Sequence, residues 1–182
     1  MVTPEGFAHE EGLVRQAKDG SQEAFAQLYE KHFDQIYRYI YFRLRQPEAE
    51  DLAQDVFIRA YQALPTYDWR GVPFTAWLYR IARNALIDHV RRRKKQASLS
   101  LDEVRVSSGD NPELLAERNM EVAELLKAVE KLPDAQREVI SLRFGAQYSI
   151  AEAARALGKS EGTIKSLQYN AVVSLRKMLK QP

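Results

Sequence analysis

Apolar residues recur along this chain at intervals of three and four and seldom at two, so the pattern predicts helices throughout and no strands. From Ser21, an N-cap after Gly20, the stripe Phe25, Leu28, Tyr29, Phe33, Ile36, Tyr37, Ile40 and Leu44 should run to Gln46 and stop before Pro47. Pro47 suits the first turn of a second helix that buries Leu52, Ala53, Val56, Phe57, Ala60 and Leu64 and ends at Pro65. After a turn-rich loop, a third helix from about Phe74 to Lys95 buries Trp77, Leu78, Ile81, Ala82, Ala85 and Leu86. With a short helix ahead of Gly20, these elements make a compact bundle.

Residues 96–111 carry no stripe and hold Ser, Gly, Asp and Asn in quick succession, the composition of a linker. Asn111-Pro112-Glu113 then starts a helix to about Lys131, with Leu115, Val122, Leu125, Leu126 and Val129 inward. Pro133 interrupts it, and a short helix follows to Phe144. Ser149-Ile150-Ala151-Glu152 spells a capping box, Gly158 ends the helix it starts, and Ser160 caps the last helix, to about Leu179. The expected fold class is all-α, with two small helical domains, 1–95 and 112–182, joined by a flexible linker over 96–111.

Charge changes this picture only locally. Across 182 residues, 27 Lys and Arg face 25 Asp and Glu, so a basic coat over the whole molecule is excluded. Within residues 70–95, however, eight basic residues oppose Asp88 alone, and within 155–180 six oppose Glu161 alone. The absence of Cys removes disulfides, thiolate metal sites and Cys nucleophiles together. No secretory leader pattern and no run of the ~18 apolar residues that a membrane span needs is visible, so a soluble, cytoplasmic protein is expected.

The clearest motif lies near the C-terminus. Two helices crossing through a short turn need a small residue at their contact, a Gly at the turn and apolar anchors on the second helix. Ala154, Gly158, Ile164 and Leu167 fall at those intervals, although any amphipathic helical hairpin can show as much. The second helix offers Lys165, Ser166, Tyr169 and Asn170 on its N-terminal half, where a recognition helix meets base edges in the major groove. Six cations around it suit phosphate.

A second signal is aromatic. Of the 18 aromatics, 14 lie between Phe25 and Tyr79, and most belong to inward stripes. Tyr67 and Trp69 do not, because they sit in a Pro- and Gly-bounded loop. Beside them begins the basic track of Arg70, Arg80, Arg83 and the Arg91–Lys95 run, an arrangement suited to single-stranded nucleic acid, where bases stack on aromatics and cations follow the backbone. A solvated basic helix end is the plainer alternative. The acidic stretch Glu48, Glu50, Asp51 and Asp55 has no His or third carboxylate at ligand spacing, so a protein-docking face is favoured over a metal or acid–base site. No phosphate-binding Gly loop, HExxH pair or nucleophile elbow occurs, and catalysis, cofactor and metal are not expected.

The segments EDLAQDVFIRAYQAL, FTAWLYRIARNALIDHVRRRKK, LPDAQREVISLRF and SIAEAARALGKSEGTIKSLQYNAVVSLRKML, in this order over about residues 10–179, resemble the successive regions of bacterial sigma-70 family factors of the extracytoplasmic function (ECF) group. The resemblance implies a non-catalytic factor that binds core RNA polymerase (its beta and beta-prime subunits), recognises promoter DNA and helps to melt it. It implies docking of the 48–63 helix on the clamp-helix coiled coil of the largest subunit through Asp51, Gln54 and Asp55. Capture of the minus-ten non-template single strand would fall to Tyr67, Trp69, Arg70, Trp77, Arg80, Arg83 and Asn84. Reading of the minus-thirty-five duplex would fall to Ser160, Lys165, Ser166, Tyr169 and Asn170, and control to an anti-sigma factor that clamps the two domains closed.

This sequence departs from the family where many relatives carry several Arg in the recognition helix and it has Leu167, Asn170, Val172 and Val173. Arg pairs bidentately with guanine and Asn with adenine, so the family's usual promoter preference does not transfer at Asn170. A stand-alone DNA-binding regulator would explain the helix-turn-helix but leave the acidic face and aromatic loop unused. An all-helical protein-interaction adaptor would have basic stretches that are only solvated.

Overall fold

The computed structural model describes residues 4–44, 48–68, 73–97 and 114–180. Most of the expected linker, 98–111, lies outside these residues, as do Trp69 and Arg70. Among the described residues there are eight α-helices and no strand: α1 (Pro4–Lys18), α2 (Gln22–Tyr41), α3 (Glu48–Ala63), α4 (Phe74–Ala97), α5 (Leu114–Glu130), α6 (Asp134–Ile140), α7 (Ile150–Leu157) and α8 (Glu161–Leu179). A 3₁₀ turn, Leu64–Thr66, follows α3, and a π turn, Ser141–Gly145, follows α6.

Local chemistry sets the boundaries. Gly20, at φ 97°, turns the chain between α1 and α2 in a conformation costly for a side chain with a Cβ. Ser21 then accepts the Ala24 N–H as N-cap of α2. Pro65 sits in the first turn of the 3₁₀ segment, where its missing N–H is no loss. The α2 helix ends earlier than its stripe predicts. Phe42, Arg43 and Leu44 continue as turns, and Phe42 swings onto the apolar cluster of the second unit, formed by Val129, Leu132, Ile140, Ala171 and Leu175.

The first unit packs α1 to α4 around Leu28, Ile36, Ile40, Val56, Leu78 and Leu86. This cluster does not stop at the domain boundary. It continues through Val139, Leu142, Tyr148, Ala153 and Ile164 of the second unit, so the two halves share apolar contacts rather than holding wholly separate cores. Expected inward residue Val122 is 46% exposed, because α5 is held by its C-terminal half, where Leu126, Ala128 and Val129 are buried.

Gly145 lies tightly against the end of α2. A Cβ there would meet the Arg38 carbonyl oxygen and the Phe42 ring, each at 3.0 Å. The absence of a side chain therefore lets the π turn press against the end of α2.

Candidate promoter and polymerase interfaces

The α3 helix separates its faces cleanly. Leu52, Ala53, Val56, Phe57 and Ala60 are buried, while Asp51, Gln54, Ile58 and Tyr61 are exposed in one line along the opposite side. Asp55 is committed differently from Asp51: it accepts from Arg59 at 2.9 Å and 2.7 Å, one turn along the helix. Ile58 (57% exposed) and Tyr61 (46%) extend the line and were not among the expected docking residues. Their signal is the same i, i+3, i+4 spacing that places Asp51 and Gln54, continued on the outer face. A rigid helix thus offers an acid, an amide and two large apolar side chains to a partner.

On α4, Arg80, Arg83 and Asn84 are exposed at i, i+3 and i+4 and form one polar patch. Trp77, three residues before Arg80, is half-buried against Tyr67 (ring centroids 4.7 Å) and Phe74 (5.4 Å). Tyr67 differs from expectation. It is only 4% exposed and packs between these rings, and its backbone carbonyl accepts from Lys18 at the end of α1. A loop position without a stripe gave no hint that α1 and α4 close around this ring. Burial, reinforced by the charges of Glu10, Asp68 and Glu11, raises the Tyr67 phenol pKa far above its ordinary value.

The helix-turn-helix rests on a full capping box: Ser149 Oγ accepts the Glu152 N–H at 3.2 Å and Glu152 accepts the Ser149 N–H at 2.7 Å. Gly158 closes α7 in the left-handed conformation (φ 62°, ψ 37°). Ile164 is fully buried and Ala154 and Ala171 lie inward, which fixes the angle at which α8 leaves the turn. Its outer face carries Lys165, Tyr169 and Asn170, with Tyr169 70% exposed. Ser160 and Ser166 are also exposed but are locally engaged. Ser160 caps α8 through the Thr163 N–H at 3.1 Å, and Ser166 donates to the Gly162 carbonyl at 3.0 Å. Val172 and Val173 are half-buried, and Val172 packs on the second apolar cluster, so neither extends the outer polar face.

Between the units lies a group that sequence reasoning missed. Glu138 of α6 points into the first unit, with its side chain 11% exposed. Its Oε1 accepts from the Tyr39 hydroxyl at 2.8 Å and from the Tyr79 hydroxyl, and its Oε2 accepts from Arg43 at 2.9 Å. Arg83 Nε lies 3.5 Å from Oε1. Burial first, then the Glu138 charge, holds the Tyr39 phenol far above its ordinary pKa; burial, Tyr39 and Glu138 do the same for Tyr79. Both tyrosines are therefore hydrogen-bond donors at neutral pH. Nearby, the buried Tyr148 hydroxyl donates to the Thr75 carbonyl at 3.2 Å.

A second buried carboxylate, Glu10 of α1, accepts from His32 Nε2 and Lys31 Nζ, each at 2.9 Å. Burial raises its pKa, but the hydrogen bonds and charges of His32 and Lys31 outweigh that and leave it below the usual carboxylate value. His32, which sits on the inward stripe of α2, is thus a structural partner of α1.

An all-helical chain with a helix-turn-helix in one unit and an arginine patch beside aromatics in the other has the make-up of a transcription initiation factor. The Sigma-70 region 2 family matches residues 28–96 and the Sigma-70 region 4 family matches residues 128–177. The ECF RNA polymerase sigma factor SigW of Bacillus subtilis is 34% identical over 179 residues, covering 92% of this chain and 95% of that relative. The ECF RNA polymerase sigma factor BldN of Streptomyces coelicolor is 39% identical over 170 residues, covering 92% of this chain. The matched part spans 64% of BldN's own length.

Among solved structures, CnrH in complex with the cytosolic domain of CnrY matches with a TM-score of 0.69 at 29% identity, over 93% of this chain and 96% of that one. The sigma factor RpoE, in complex with the anti-sigma factor NepR from Bartonella quintana, matches with a TM-score of 0.64 at 26% identity, over 86% of this chain and 97% of that one. The chain belongs to the ECF group of sigma-70 family RNA polymerase sigma factors. Its first unit contains the region 2 match and its second the region 4 match. Among the described residues no helix is long and apolar enough to cross a membrane.

Proposed function

We propose that this sigma factor docks on core RNA polymerase through the outer face of α3, captures the minus-ten non-template strand with α4 and the loop before it, and reads the minus-thirty-five duplex with α8. The observation that carries the reading is the outer face of α8. A helix anchored by Ile164, Ala171 and Leu175 leaves Lys165, Tyr169 and Asn170 free on its N-terminal half, the part that enters a major groove. Arg80, Arg83 and Asn84 supply cations and an amide beside the partly covered Trp77, which suits an opened strand. On α3, Asp51 and Gln54 lead into Ile58 and Tyr61, a mixed acidic and apolar face suited to a basic helical partner.

The same reading makes the protein a cytoplasmic, non-catalytic factor under an anti-sigma factor. Support for that control comes from the RpoE structure, whose chain is bound to its anti-sigma factor.

The test is run-off transcription with core enzyme, start sites mapped genome-wide, and promoter opening followed by permanganate. Asp51→Lys should weaken pull-down of core enzyme while helicity is unchanged. Trp69→Ala and Asn84→Ala should impair opening while leaving upstream duplex binding nearly intact. Equal loss of opening and duplex binding in the Trp69→Ala and Lys165→Ala variants would refute the division between two DNA faces.

A further inference from the structure

We infer that Glu138 is an internal latch: a region 4 carboxylate that closes the sigma factor on itself and engages Arg83 on the arginine face of α4 without any partner protein. The inference rests, for its DNA consequence, on the reading of that face as the minus-ten surface. Its structural basis is independent of that reading.

Glu138 sits on α6, and all four groups around its carboxylate come from the other unit: Tyr39 and Arg43 from α2 and the turn after it, Tyr79 and Arg83 from α4. A carboxylate needs several donors before it leaves water, and none of these belongs to its own domain. Nothing in the folding of region 4 alone calls for an acid at this inward position. In reverse, the Tyr39 and Tyr79 hydroxyls, buried in region 2 and bonded to each other, both donate to the region 4 carboxylate. Such mutual satisfaction across a boundary stabilises one relative placement of the domains and no other.

The placement brings region 4 alongside the arginine face. Arg80, Arg83 and Asn84 of α4 share a cleft of ≈ 520 Å³ with Asp134, Glu138 and Lys159 of region 4. Within it Arg83 faces a carboxylate where a nucleic-acid strand would offer a phosphate. Both anions use the same guanidinium, so strand binding and latch closure compete. Gly145 and the Tyr148–Thr75 hydrogen bond lie on the same seam and add shape to the closed state. If the closed form holds about nine molecules in ten, the apparent affinity for a strand is masked about tenfold, and breaking the latch restores it.

The absence of native Cys allows a clean test on the full chain. Cysteines placed at exposed Gln62 on α3 and Lys177 on α8 take a donor and an acceptor dye, and energy transfer reports the distance between the units. Glu138→Gln removes the charge at constant shape; Tyr39→Phe with Tyr79→Phe removes two hydroxyls from the opposite side and leaves region 4 untouched. Both should lower transfer efficiency with helicity retained, and both should raise the affinity for a fluorescent single-stranded oligonucleotide of mixed sequence by about tenfold. If Glu138→Gln loses helicity, the tyrosine pair decides. Unchanged transfer in the folded variants would overturn the latch. Opening with no gain in strand affinity would uphold the latch and refute the assignment of α4 to the minus-ten strand.

Discussion

The Glu10 contact gives the sharpest stability prediction, because its energy and its pH dependence both follow from one geometry. Glu10→Ala removes a carboxylate that accepts two charge-assisted hydrogen bonds at 2.9 Å. The Lys31 side chain is 40% exposed and turns to water, so that half contributes at most about 1 kcal/mol. The His32 side chain is 4% exposed and cannot turn away, and orphaning a buried donor costs about 1–3 kcal/mol. The expected loss is roughly 2–3 kcal/mol in region 2, with α1 loosened from α2.

Glu10 has a depressed folded-state pKa, so its contribution is present above the unfolded value, near 4.5, and is lost as pH falls through the folded one. The gap between parent and variant should therefore be full at about pH 7 and shrink in strong acid. Both Trp residues, Trp69 and Trp77, fall in the first half of the sequence, so urea unfolding followed by tryptophan fluorescence reports on that half. A loss below about 0.5 kcal/mol at neutral pH, or a gap that does not narrow on acidification, would refute the assignment of stability to this carboxylate.

Other consequences are more local. Gly158→Ala places a Cβ at φ 62° and should cost about 1–2 kcal/mol, read as a lower thermal midpoint by circular dichroism, with weaker duplex binding as α8 loses its fixed angle. Ser149→Ala removes one arm of the capping box and should cost about 1 kcal/mol in the same melt. On α8, Lys165→Ala should reduce the salt slope of upstream duplex binding by about one unit if it meets phosphate. Asn170→Ala should relax sequence preference at one base pair by about 1–3 kcal/mol, read by competition among substituted duplexes.

The chain's periodicity was enough to establish that it is helical, and its capping residues to place several helix ends, because those are decided within a few residues. Ser21, Ser149 with Glu152, Gly158 and Ser160 act on their own neighbours, and each caps the helix end at which the sequence places it. The exposed face of α8 was legible for the same reason, since Lys165, Tyr169 and Asn170 lie opposite an unambiguous apolar stripe. The fate of Tyr67 was not legible, because its burial depends on Phe74 and Trp77 coming from the next helix and on Lys18 coming from the first. Nor was the end of α2, where the C-cap Phe42 packs on a cluster drawn from Ala128 to Leu175. Glu138 shows the limit most clearly. In sequence it is one acid in an amphipathic segment, and its chemistry exists only when Tyr39, Arg43, Tyr79 and Arg83, from α2, the turn after it and α4, arrive around it. Local rules act through backbone bonds and side chains a turn away, whereas a buried carboxylate draws its meaning from donors that only the packed chain brings within 3–4 Å.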